Sequence, residues 1–103
     1  MTIAVSFTRA AESQLLDIYE WIADHGSPTD AQQFVAAIIN YCESLADMPG
    51  IGTNRDDIRP GLRTVGYRRR VVIAFAPTND IQLTILGVFY GGQDYEPRLA
   101  AAQ

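Results

Sequence analysis

The chain has no lysine. Its eight basic residues are all arginine, set against twelve Asp and Glu and one histidine, for a net charge of −4. An all-arginine set reflects either codon usage or a demand for planar, two-pronged contacts to carboxylate and phosphate, which a lysine ammonium does not make. Cysteine is nearly as scarce. The lone Cys42 excludes an internal disulfide, and with only His25 beside it there is no zinc site of the usual ligand spacing. No stretch approaches the roughly 18 apolar residues of a membrane span, and Met1 to Val5 has neither the basic start nor the long apolar core of a signal peptide. The expectation is a cytoplasmic protein without metal, cofactor or membrane. Internal repeats and low-complexity segments are also missing, so 103 residues with 48% apolar content read as one domain, 1–103, with a single small core.

What is present is divided sharply by charge. Residues 1–48 hold seven carboxylates against Arg9 alone, whereas residues 49–103 hold seven arginines against five acids. Five of the arginines (Arg59, Arg63, Arg68, Arg69 and Arg70) fall within Ile58 to Arg70, a stretch with no acid at all. The overall negative charge, and the lack of a helix-turn-helix or a glycine–aromatic RNA motif, argue against direct nucleic-acid binding. A protein partner with an acidic segment fits the arginines better, because guanidinium forks on carboxylates give register and fast association.

Hydrophobic periodicity gives the elements. Ile3 to Phe7 reads as a short opening strand, with Thr8 as a helix cap. From Arg9 to about His25, Ala11, Leu15, Ile18, Tyr19 and Ile22 form one stripe of an amphipathic helix whose other side carries Glu12, Asp17, Glu20 and Asp24. Gly26 stops it. Ser27 and Pro28 then start a second helix that runs to about Asp47 on the stripe Ala31, Phe34, Val35, Ile38, Cys42 and Leu45. So short a connection makes an antiparallel helical hairpin. Met48 to Gly61 is a loop rich in glycine and proline. Beyond it Leu62 to Tyr67, Arg70 to Ala76 and Ile81 to Val88 alternate as strands, with Gly66 as turn or bulge and Pro77 to Asp80 as the second turn. Val71, Ile73 and Phe75 share one face. Ile81, Leu83 and Ile85 share a face of the last strand, with Leu86 and Val88 opposite. The last strand should lie within the sheet, and the tail from Gln93 should hold one helical turn at most. The fold class is therefore α+β: an N-terminal strand, an antiparallel helical hairpin, then a three-stranded antiparallel sheet.

Few side chains suggest chemistry. His25 at the end of the first helix reads as a cation on the helix dipole rather than a catalyst, and Cys42 on the apolar stripe reads as core. Leu16 and Trp21 lie off the stripe, which marks the outer side of the hairpin as a contact surface. Alternation assigns Arg68 and Arg70 to one face of a strand and Arg69 to the other.

In order and spacing, several segments resemble the ParE branch of the RelE/ParE toxins of bacterial toxin–antitoxin systems. They are Phe7-Thr8 with Ala11, Leu16 to Ala23, Ala31 with Phe34, Leu45 with Met48 to Gly52, Arg55 to Arg63, Tyr67 to Phe75, and Ile85 to Asp94. The resemblance implies a RelE/ParE-like fold and a type II toxin. Such a toxin inhibits DNA gyrase by protein–protein contact, and a ParD-like antitoxin neutralises it by laying a C-terminal segment along the helical hairpin and sheet in a hetero-oligomer. The RelE branch instead cleaves ribosome-bound mRNA. This chain departs from that pattern in having no lysine, no histidine in its second half, and Asp94-Tyr95-Glu96 after the last strand, although Arg63, Arg70 and Tyr90 could mimic part of such a site. A third possibility is a non-toxic module that only binds antitoxin. The expected catalytic set is empty. The residues expected to meet target or antitoxin are Arg59, Arg63, Arg68, Arg70, Tyr90, Leu16 and Trp21.

Overall fold

A computed structural model describes residues 4–48, 50–79 and 81–91; the expectations for Ile3, Asp80 and the tail from Gln93 lie outside these. Strand β1 (Ala4–Phe7) leads into helix α1 (Arg9–His25), and helix α2 (Pro28–Ser44) follows after two residues and ends in a 3-10 turn at Leu45–Asp47. Then come β2 (Thr53–Asn54), β3 (Arg63–Tyr67), β4 (Val71–Asn79) and β5 (Gln82–Tyr90). The helix boundaries follow from the caps. The Thr8 hydroxyl accepts from Ala11 N–H at 3.1 Å and the Ser27 hydroxyl from Asp30 N–H at 3.1 Å, while Gly26 N–H closes α1 on the Ile22 carbonyl at 2.8 Å.

The α+β class holds, but the sheet is larger than three strands. It has five, in the order β1-β5-β4-β3-β2, and it is mixed: β1 runs parallel to β5 with Ala4 opposite Gln82 and Phe7 opposite Ile85. The opening strand therefore belongs to the sheet, and β5 is interior as the pattern predicts. Three assignments also change. Gly66 lies inside β3 opposite Val72, and the connection to β4 is instead Arg68-Arg69-Arg70, with Arg68 and Arg69 at φ 51° and 64°. The three arginines thus form the tip of a hairpin, so strand alternation does not sort them. Strand β4 runs on through Pro77 and Thr78 to Asn79, with a register shift between Pro77 and Asn79.

The third change concerns which way β5 faces. Ala74 pairs with Gly87 and Phe75 with Ile85, so Leu86 is an extra residue, a β-bulge that resets the alternation. Val88 consequently joins Ile85 on the face under the helices, in one core with Ile38, Cys42, Leu45, Val71, Ile73 and Phe75. The bulge also turns backbone groups out of the ladder, and the N-terminal segment satisfies them: the Thr8 hydroxyl donates to the Leu86 carbonyl at 3.2 Å and Gln14 Oε1 accepts from Val88 N–H at 2.7 Å. The opposite sheet face carries a smaller cluster of Leu62, Ala74 and Phe89, roofed by Ile58 from the loop that ends at Leu62. No helix among the described residues is long and apolar enough to cross a membrane.

Candidate functional site

Because β1 ends at Phe7, the second half of β5 has no strand beside it, and α1 passes it at a distance. The gap is a groove of about 450 Å³ between Gln14, Asp17 and Trp21 of α1 and Arg70, Val88 and Tyr90 of the sheet end. A second hollow of about 370 Å³ opens from it between the tops of α1 and α2. It adds His25, Asp30 and Phe34 and shares Trp21, Arg70 and Tyr90 as a common wall. Sheet register sets this wall. Tyr90 is opposite Val71, which places it beside Arg70, and Gly91 N–H donates to the Arg70 carbonyl at 2.9 Å.

The wall is built from packed rings. Trp21 stacks on His25 with centroids 4.1 Å apart, a 13° tilt between planes, and the His25 Nδ1–H donating to the Trp21 carbonyl at 2.8 Å. His25 thus ends α1 as the sequence suggests, and it also props the indole. Trp21 meets Tyr90 at 5.7 Å, and Phe34 meets Tyr90 edge-on at 5.8 Å. Aromatic surface with few rotamers, one guanidinium and the carboxylates of Asp17 and Asp30 is suited to gripping bulky apolar side chains and charged ends of a peptide. Among the described residues no serine, threonine or cysteine lines it. The thiol of Cys42 is inside the core, its pKa pushed up to about 12 by burial and then by the Glu43 carboxylate. Among the described residues no three His, Cys, Asp or Glu side chains converge on a metal position.

Of the seven residues the sequence nominates, three meet here: Trp21, Arg70 and Tyr90. Arg68 lies next to them on the hairpin tip, its guanidinium 5.2 Å from the ring centre of Tyr67, which in turn stacks on Tyr41 at 4.6 Å. The other three are elsewhere. Leu16 is 58% exposed, but the helical repeat places it roughly 150° around α1 from the groove, so it does not share a surface with Trp21. Arg63 Nη1 donates to the Gly50 and Ile51 carbonyls, both at 3.3 Å, and so holds the loop before β2. Arg59 is half-buried, with its Nη1 enclosed and lacking a hydrogen-bond partner. That loop is otherwise fixed by its own ionic contact, Arg55 to Asp57 at 2.9 Å, and the Arg55 hydrogen bonds hold the Asp57 carboxyl below the usual range. Sequence reasoning passed over Gln14, Asp17, Asp30 and Phe34. Phe34 was assigned to the core stripe, and only the stagger between β1 and β5 reveals that its upper edge is open.

Residues 5–95 match the family model described as the ParE toxin of type II toxin-antitoxin system, parDE. Among solved structures, a chain of the chromosomal ParDE TA system from P. aeruginosa matches with a TM-score of 0.73 at 23% identity, covering 87% of this chain and 97% of that one, a likeness of fold. No curated protein matches the sequence.

Proposed function

Because the chain belongs to the ParE toxin family of type II toxin–antitoxin systems, we propose that it is a toxin that stops DNA gyrase by protein–protein contact and is neutralised by a ParD-like antitoxin. The observation that carries the partner half of this reading is the two-lobed aromatic groove around Trp21, Phe34, Tyr90 and Arg70. A peptide segment laid along it would bury apolar side chains against three rings and set a carboxylate on Arg70. The reading needs no cofactor and no direct contact with nucleic acid. It places the protein in the cytoplasm, in a hetero-oligomer with its antitoxin.

An mRNA-cleaving alternative requires Arg63, Arg70 and Tyr90 to converge on one phosphate. Arg63 is opposite Phe75, whereas Tyr90 is opposite Val71. Four residues along β4 correspond to about 13 Å, and the Arg63 guanidinium is already turned onto loop carbonyls. This supports a toxin that acts by binding. Purified protein is expected to block supercoiling by gyrase and leave ribosome-bound mRNA intact; cleaved message alongside normal supercoiling overturns the reading. A ParD-like protein from the neighbouring reading frame should restore supercoiling. Induction without antitoxin should arrest growth, and harmless induction of folded protein would leave only an antitoxin-binding module.

A further inference from the structure

The connection between β3 and β4 is expensive for what it does locally. Arg68 and Arg69 both occupy the left-handed region, where a residue with a Cβ costs roughly 1 kcal/mol or more and Asn-Gly is the economical choice for a tight hairpin. Arg68, Arg69 and Arg70 are all exposed, and among the described residues the only ion pair is the distant Arg55–Asp57. Arg68 and Arg69 thus carry their charges into solvent with no ion pair among the described residues, whereas Arg70 has Asp17 and Asp30 near it. The tip is also held firmly. Tyr67 pairs with Val71, Val71 with Tyr90, and the Arg70 carbonyl accepts from Gly91 N–H, while Arg68 rests on the Tyr67–Tyr41 stack. Backbone strain at a solvent-facing tip, with only the contact of Arg68 on the Tyr67 ring set against it among the described residues, points to compensation in a partner.

We propose that this hairpin tip is the finger by which the toxin contacts its target, with Arg68 and Arg69 taking carboxylates of an acidic segment on the target protein. The proposal rests on the toxin reading above. Protein carboxylates rather than phosphates are the fit, because the molecule carries −4 overall and Asp17 and Asp30 lie beside Arg70. A long polyanion would be repelled by this field, whereas a few side-chain carboxylates match the bidentate reach of a three-residue tip. The target finger and the aromatic groove then adjoin through Arg70, so a segment filling the groove neutralises the toxin by occupying the space next to the finger.

The test is the double variant R68N/R69G, which removes both charges and supplies the residues the turn prefers. Its melting temperature should equal or exceed that of wild type, which excludes misfolding as the cause of any loss, and its affinity for the ParD-like antitoxin should stay within about twofold. Its half-inhibitory concentration in gyrase supercoiling should rise at least ~10-fold, the scale of losing a binding hot spot. Wild type that inhibits gyrase beside an equally potent variant overturns the finger. Wild type that spares gyrase overturns the gyrase reading instead; growth arrest on induction then tests the finger against whatever the target is, and equal arrest by the two proteins overturns it. Tight binding of wild type to a DNA duplex that the variant loses would overturn the protein-carboxylate assignment.

Discussion

Gly87 has no room for a methyl group. A Cβ built there would lie 2.6 Å from both Cε2 and Cζ of Phe89, whose ring is only 3% exposed and is fixed over Leu62 and Ala74. Gly87→Ala should therefore cost roughly 1–3 kcal/mol, the range of overpacking a tight core, seen as a lower urea midpoint at unchanged slope. Cys42 makes a prediction in pH. Its pKa is raised from 9.0 to about 12 in the fold, so as pH rises through this window the unfolded chain releases the thiol proton and the folded chain does not. Stability should be unaffected below pH 9 and should fall between 9 and 12. In Cys42→Ala this alkaline decline should be shallower in denaturant titrations at stepped pH. Arg63 shows where the residue scale misleads: its charge suggests a binding site in the sequence, but the carbonyls of Gly50 and Ile51 take up its guanidinium.

The bulge at Leu86 is stabilised from outside the sheet. Gln14 from α1 supplies the acceptor for Val88 N–H, and Gln14→Ala leaves that amide without its protein partner beside the groove. A loss of about 0.5–1.5 kcal/mol in thermal unfolding is expected, the net worth of one hydrogen bond whose donor water in the groove can still reach, with faster hydrogen exchange at Val88 than at its neighbours. The elements that read well from sequence are those with chemistry at their ends. Thr8, Gly26 and the Ser27-Pro28 pair mark α1 and α2 through groups that cap a helix whatever lies around it. The β3–β4 turn was misplaced because arginine carries no turn signal, and Gly66, which does, sits in a strand. Strict alternation misassigns the face of Val88 because it assumes every residue pairs, and the inserted Leu86 breaks that assumption with Gly87 beside it as its one mark in the sequence. The partner of β1 was illegible for a different reason: parallel pairing of Ala4 with Gln82 is decided by tertiary packing, not by neighbouring residues.

At the scale of the whole molecule the groove residues and the arginine hairpin gather at one end, where α1 stops and β5 exits. Trp21→Ala should weaken antitoxin binding at least ~10-fold, as expected for a central aromatic anchor, whereas Leu16→Ala on the far side of α1 should leave it unchanged in the same titration. Arg70→Ala should slow association and flatten its dependence on salt, since a rim charge acts mainly through steering. Only part of this end is visible in the sequence: Trp21, Arg70 and Tyr90 stand out singly, the register of β4 on β5 brings Tyr90 beside Arg70, and Trp21 joins them from α1 through its ring contact with Tyr90. That register has a consequence for how the protein is made. β5 is the central link between β1 and β4, so an emerging polypeptide can wind its helices early but cannot close its sheet until residue 90 has cleared the ribosome. The groove wall and the anchoring of the hairpin appear in that last step, and a chain that stalls short of it has neither. Biosynthesis thus delays the assembly of this surface until β5 has emerged.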